Sequence, residues 1–155
     1  MPRIELITPI AASPERCFDL ARDIDLHLRS MVQSGERAVA GRRTGLIELG
    51  EEVTWRARYF GLTHEHTSRI TALDRPRHFH DSMIAGRFKR FEHDHFFEPC
   101  EGGTIMRDIL EFESPFGILG TVVNAIFLTR YLTSLLEARN SVIRHEAERG
   151  GQGSR

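Results

Sequence analysis

Apolar and polar residues alternate from Arg3 to Ile10: Ile4, Leu6 and Thr8 share one face, Glu5 and Ile7 the other. This predicts a strand that closes at Pro9. Ser13-Pro14-Glu15 is a helix start. Serine caps, proline takes the first helical position, and glutamate suits the positive end of the helix dipole. Phe18, Leu20 and Ala21 give that short helix its apolar side, and Ile24, Leu28 and Met31 predict a second one ended by Gly35. From 36 to 113 the period changes to two. Strands are predicted near 36–41, 52–60, 62–73, 78–85, 88–98 and 104–113, with Gly61, Asp74-Arg75-Pro76, Gly86 and Glu101-Gly102-Gly103 between them. The links are short, so the strands should form an antiparallel meander. Gly41 to Gly50 reads as a loop whose Leu46-Ile47 patch covers an opening.

Ser114-Pro115-Phe116-Gly117 stops the sheet, and a helix is predicted over 118–148. Its first half is apolar almost all round (Leu119, Val122, Val123, Ile126, Phe127, Leu128), which predicts enclosure. Its second half sets Tyr131, Leu132, Leu135, Leu136, Val142 and Ile143 against Arg130, Glu137, Arg139 and Glu146. The tail 150–155 is rich in Gly and Ser and reads as disordered, which leaves one domain over 1–149. The economical arrangement is α+β: a curved antiparallel sheet of about seven strands wrapped round one long C-terminal helix. Such a wrap leaves room for a cavity between helix and sheet.

A two-residue turn at Phe60-Gly61 would pair Tyr59 with Leu62, Ala57 with His64, Trp55 with His66 and Val53 with Ser68. Arg56, Arg58, Glu65 and Arg69 then fall on the opposite, outer face. The turn at Glu101-Gly102 pairs Cys100 with Gly103, Phe97 with Met106, His95 with Asp108, His93 with Leu110 and Phe91 with Phe112. Arg90, Glu92, Arg107 and Glu111 go outside. For 78–85 two parities compete, and the one with Phe79, Asp81 and Met83 inward is preferred. The inner surface is then apolar and aromatic with a few polar groups: Trp55, Tyr59, His64, His66, Met83, Phe91, His93, His95, Met106 and Asp108. Phe127 and Tyr131 on the helix complete this candidate lining, which suits a small-molecule pocket. Val53, Leu110 and Ile126 read as plain core.

Composition narrows the function. The 155 residues carry 21 Lys plus Arg against 22 Asp plus Glu, a formal net charge of -1. That is no electrostatic case for nucleic acid. Cys17 and Cys100 lack the spacing of a zinc ribbon or a redox pair and suit a reducing cytoplasm. MPRIELITPI lacks a signal-peptide pattern. The apolar run near 118–128 is broken by Gly120, Thr121 and Asn124 and is too short for a membrane anchor. A cytoplasmic protein is expected.

Histidine is in excess: 8 residues, six of them between 64 and 95. His64/His66, His78/His80 and His93/His95 are each spaced i, i+2, so each pair shares a strand face. Two such imidazoles with Asp108 as a third ligand would suit zinc or iron(II). His-x-His alone is a weak signal, and the expected assignment is no metal and no cofactor. His93, His95 and Asp108 remain candidates for acid-base chemistry near neutral pH. His78/His80 are expected outside. No GxSxG, cysteine signature or phosphate loop appears.

Together these elements resemble the SRPBCC superfamily (START-like, polyketide cyclase/dehydrase-like), in its bacterial ligand-binding branch. The resemblance is carried by Glu52-Val53-Thr54-Trp55-Arg56-Ala57-Arg58 with Gly61-Leu62, by 86–97 (GRFKRFEHDHFF), and by Gly103-Thr104 and Asp108. It continues through 114–120 (SPFGILG) to Arg130-Tyr131-Leu132 and Leu136-Glu137 with Arg139-Asn140. Arg87 stands where that pattern has a proline. The resemblance implies a helix-grip fold with a deep apolar cavity, and no catalytic residues to carry over. Three functions follow as expectations. The first is binding of a small hydrophobic, aromatic or lipid-like molecule. The second is a cyclase/dehydrase-type enzyme, and the third a protein-interaction module. The Leu46-Ile47 loop or the end of the long helix could supply homodimer contacts.

Overall fold

The structure is a computed structural model that describes residues 1–59, 61–114 and 121–150; for 59 and 121–124 only the backbone is described. The Phe60 turn position, the start of the long helix at 118–120 with the Pro115-Phe116-Gly117 stop, and the tail 151–155 lie outside these residues. The elements are β1 (Arg3–Ile10), α1 (Pro14–Ala21), α2 (Ile24–Ser30), a 3-10 turn (Val32–Ser34), β2 (Arg37–Gly41), β3 (Glu52–Tyr59), β4 (Leu62–Asp74), β5 (His78–Ala85), β6 (Arg90–Cys100), β7 (Gly103–Glu113) and α3 (Thr121–Arg149). Ser13 caps α1 by accepting the Arg16 N–H, and Asp23 caps α2 from the Asp25 and Leu26 amides.

The strands form one curved antiparallel sheet in the order β1-β7-β6-β5-β4-β3-β2. Gly61 (φ 74°) and Gly102 (φ 83°) supply the left-handed backbone that their tight turns need. The register follows: Ala57 opposite His64, Trp55 opposite His66, His95 opposite Asp108, His93 opposite Leu110. These are the expected pairings. On β5, Phe79 is buried and Asp81 faces inward, while His78 and His80 face outward onto Asp94. The outer face is tied across strands by Arg56–Glu65 (2.6 Å), Arg69–Glu52 and Arg107–Glu5 (3.4 Å).

Two expectations about α3 need correction. Ile126 (52% exposed) and Phe127 (50%) are not enclosed. The close backbone neighbours of α3 are β1, α1 and α2, not the middle strands of the sheet. Arg139, assigned to the polar face, is buried with Asn140. Both are drawn in by Asp108 on the sheet beneath them. The main core gathers Cys17, Phe18, Ile70, Phe79, Phe97, Met106 and Ile143 under α1 and the end of α3. The Phe18 ring meets Phe79 and Phe97 edge-on, each at 5.3 Å.

Asp19 of α1 clamps this end to the β4–β5 turn. It accepts from Arg75 (2.8 and 3.0 Å) and from Arg22 (2.9 Å). The Arg75 hydrogen bonds, aided by Arg22 and against partial burial, hold its carboxyl below the usual 3.8. The unfolded chain therefore takes up this proton more readily. The clamp's contribution is present above the ordinary carboxylate range and is lost as pH falls through it. Asp19→Asn should thus lose less stability than the parent chain between about pH 5 and about pH 2. Parallel urea melts across that range check this. Equal acid slopes would rule the clamp out.

Candidate functional site

Because α3 leans on β1 and the short helices, a space opens between it and β3–β6. This cavity has a volume of about 330 Å3. Val53, Trp55 and Ala57 of β3, Ile70 of β4 and Phe91 and Leu110 of the far strands form its sheet wall. Leu128, Tyr131, Leu132, Leu135 and Leu136 of α3 form the helix wall. Ile24 and His27 of α2, its C-cap residue Met31, and Ile47 of the 42–51 loop close one side. That loop is joined to the α2 cap by pairing of Leu46 with Asp23.

Polar groups are few and grouped. Near the α2 side, His27 Nε2 lies 2.6 Å from Glu36, and its ring lies against Trp55 at 4.2 Å. His64 and His66 look in from β4. Burial pushes His66 below its ordinary pKa, with Asp81 opposing.

The floor is a denser cluster. Asp108 Oδ1 accepts from His93 Nε2 (3.1 Å), His95 Nδ1 (2.9 Å) and Arg139 (3.4 Å), and Oδ2 accepts from Asn140 (2.7 Å). His95 Nε2 faces Asp81 Oδ2 at 2.9 Å, and the Ser68 hydroxyl donates to Asp81 Oδ1 at 3.0 Å. The His93 and His95 rings are 3.8 Å apart, and His95 stacks on Phe79 at 4.1 Å. Burial alone would raise the carboxyl of Asp108, but the His93 and His95 bonds and the Arg139 charge hold it well below the usual range. Asp81 is likewise held low: the His95 bond and the charges of both histidines outweigh its burial. Burial and the neighbouring His95 push His93 down against the pull of Asp108. The cluster can hold a hydrogen-bonding group at the base of an apolar space.

Trp55, His64, His66, Phe91, His93, His95 and Tyr131 meet at this cavity. Met83, Met106 and Asp108 do not line it. Met106 is core, Asp108 (0% exposed) lies behind the histidines, and Met83 packs beside Gly86, near His66. Phe127 stacks on Tyr131 at 6.4 Å but stands outside the lining, and the side chain of Tyr59 is outside the described residues. Several polar lining residues were not among the candidates, His27, Asp81 and Arg139 among them. Asp81 shared the inward parity of Phe79, which was the available signal. His78 and His80 form a separate outer ladder, His78 to Asp94 (2.7 Å) and His80 to Asp94 (2.9 Å) and Glu92 (2.8 Å).

Known structures share this architecture. A Thermus thermophilus protein superposes with TM-score 0.71 at 21% identity, over 92% of this chain and 97% of its own. A Staphylococcus aureus protein of unknown function gives 0.73 at 14%, over 97% and 96%. A START superfamily protein from Mycobacterium smegmatis gives 0.67 at 13%, over 95% and 97%. At such identities the likeness is one of fold. No curated protein matches the chain. Among the described residues no helix is long and apolar enough to cross a membrane. Residues 10–138 match the family model for polyketide cyclase/dehydrase and lipid transport, and on that match the chain belongs to this family.

Proposed function

We propose that this protein binds a small, largely apolar molecule, aromatic or lipid-like, in the cavity between sheet and α3. The observation that carries the reading is the lining: aromatic and aliphatic side chains on both walls, with hydrogen-bonding groups gathered at the floor and on the α2 side. Apolar walls supply affinity, and a few placed polar groups supply orientation. The ligand's polar end would meet Asp81, His93 and His95, while its body lies along Trp55, Ile70 and Leu132. A volume near 330 Å3 stands at the lower end for ligand pockets, about 300–1,000 Å3, and favours a compact ring system or short chain. Cys17 and Cys100 are both free thiols, in keeping with action in the reducing cytoplasm.

The test is titration with a fluorescent naphthalene-type apolar probe, combined with native mass spectrometry of the freshly purified chain. One saturable site per chain is expected, with the probe displaced by a co-purified or added small aromatic or lipid. A chain that binds no probe and carries no extractable apolar molecule would overturn the reading.

A further inference from the structure

The floor cluster has a geometry that ligand binding does not require. Asp108 accepts from Nε2 of His93 and from Nδ1 of His95, so both rings point their N–H at the buried carboxylate. The other nitrogen of His95, Nε2, faces Asp81 Oδ2 at 2.9 Å, and Arg139 lies 3.5 Å from its Nδ1. Both ring nitrogens of His95 thus meet carboxylates, which only accept, so the pair of acids is satisfied either by a second ring proton or by a bound cation. The charge count agrees: Asp81 and Asp108 bring two negative charges, and Arg139 brings one positive.

We propose that Asp81, His93 and His95 form a binding site for one divalent first-row transition metal ion, of the zinc or iron(II) class, open to the cavity. One ligand atom from each residue lies within 4.8 Å of the others. A cation with bonds of about 2.0–2.2 Å would hold three such atoms roughly 3–3.5 Å apart, so small side-chain rotations close the site. Two imidazoles and a carboxylate are a familiar donor set for these ions, and the remaining positions would face the apolar space. Asp108 would serve as the outer carboxylate that orients both imidazoles, with Arg139 and Asn140 holding it in turn. Ser68 does the same for Asp81. The i, i+2 spacing on β6 puts both rings on the inner face, and β5 supplies the third ligand from the adjacent strand. The site rests on this geometry and not on the apolar-ligand reading.

The experiment is titration of the chelator-stripped chain with Co2+, read by its visible absorption, followed by competition with Zn2+. One Co2+ per chain is expected, with the intense bands of a four- or five-coordinate ion, displaced by one Zn2+. Asp81→Asn and His93→Ala should each weaken uptake about 100-fold, and Asp108→Asn about 10- to 100-fold. His80→Gln, in the outer ladder, should leave uptake unchanged, and so should Cys100→Ser. Circular dichroism confirms that each variant is folded. Asp81 is partly exposed (19% of its side chain), which makes its variant the safest of the ligand set. Absence of uptake at micromolar metal would overturn the site, leaving a proton between His95 and Asp81. Uptake lost in His80→Gln but kept in Asp81→Asn would overturn it equally. Probe fluorescence reads the apolar cavity separately, so either reading can fail alone.

Discussion

Replacing Asp108 by alanine should cost about 3–5 kcal/mol of folding stability, the range for removing one partner of a buried ion pair. Asp108 is 0% exposed and Arg139 only 4%. Among the described residues this carboxylate is the anion that Arg139 meets; its other acceptors are the Ala21 carbonyl and the Asn140 side chain. Without it a guanidinium charge stays in the interior uncompensated, and the N–H groups of His93, His95 and Asn140 lose an acceptor. The cost is therefore the penalty of stranded partners and not the net strength of one bond. A second variant separates these. In Asp108→Leu combined with Arg139→Met both charges leave together, and much of the loss should return. Urea unfolding of the single and double variants measures both effects. A loss below about 1 kcal/mol in Asp108→Ala would mean that the network does not tie α3 to the sheet.

The sheet was legible because two glycine turns fix strand parity. Once Gly61 and Gly102 are placed, Trp55, His64, His66, Phe91, His93 and His95 must share one face. Period two tells which face a side chain takes, but not what covers that face. Met106 and Asp108 sit on the same side as Trp55, yet they end up sealed, since α3 leans on β1 beside β7 and away from β3. That lean is set by packing between elements far apart in sequence. The same limit explains Arg139. In the helix period it belongs with Glu137 and Glu146, and only the buried carboxylate of a strand 31 positions earlier draws it inward. His27 was hidden for a local reason. It stands one residue before Leu28 in the apolar spacing of α2, and it reaches the cavity by lying against Trp55. The outward turn of Ile126 and Phe127 shows the converse: an apolar helix segment expected to be enclosed can stand exposed.

The cavity itself can be tested by filling it. Ala57→Trp should weaken binding of the apolar probe about 100-fold, equivalent to about 2.7 kcal/mol. Ala57 lies on β3 opposite His64, is 5% exposed, and presents only a methyl group to the space between Trp55 and α3. An indole there would occupy volume that a ligand would otherwise use, in a cavity of about 330 Å3 that has little to spare. Inserting a large side chain into a packed core costs about 1–3 kcal/mol of stability. Here the new ring enters open space and buries its own apolar surface, so the folding cost should fall at or below the bottom of that range. The three proposed ligands lie on β5 and β6, separated from β3 by β4, so Co2+ uptake should be the same as in the parent chain. Loss of probe binding with metal uptake intact would separate the apolar body of the site from its polar base. Unchanged probe affinity in a folded Ala57→Trp chain would mean that the probe binds elsewhere, with the exposed Ile126 and Phe127 the first place to look, and the proposed ligand site would fall with it.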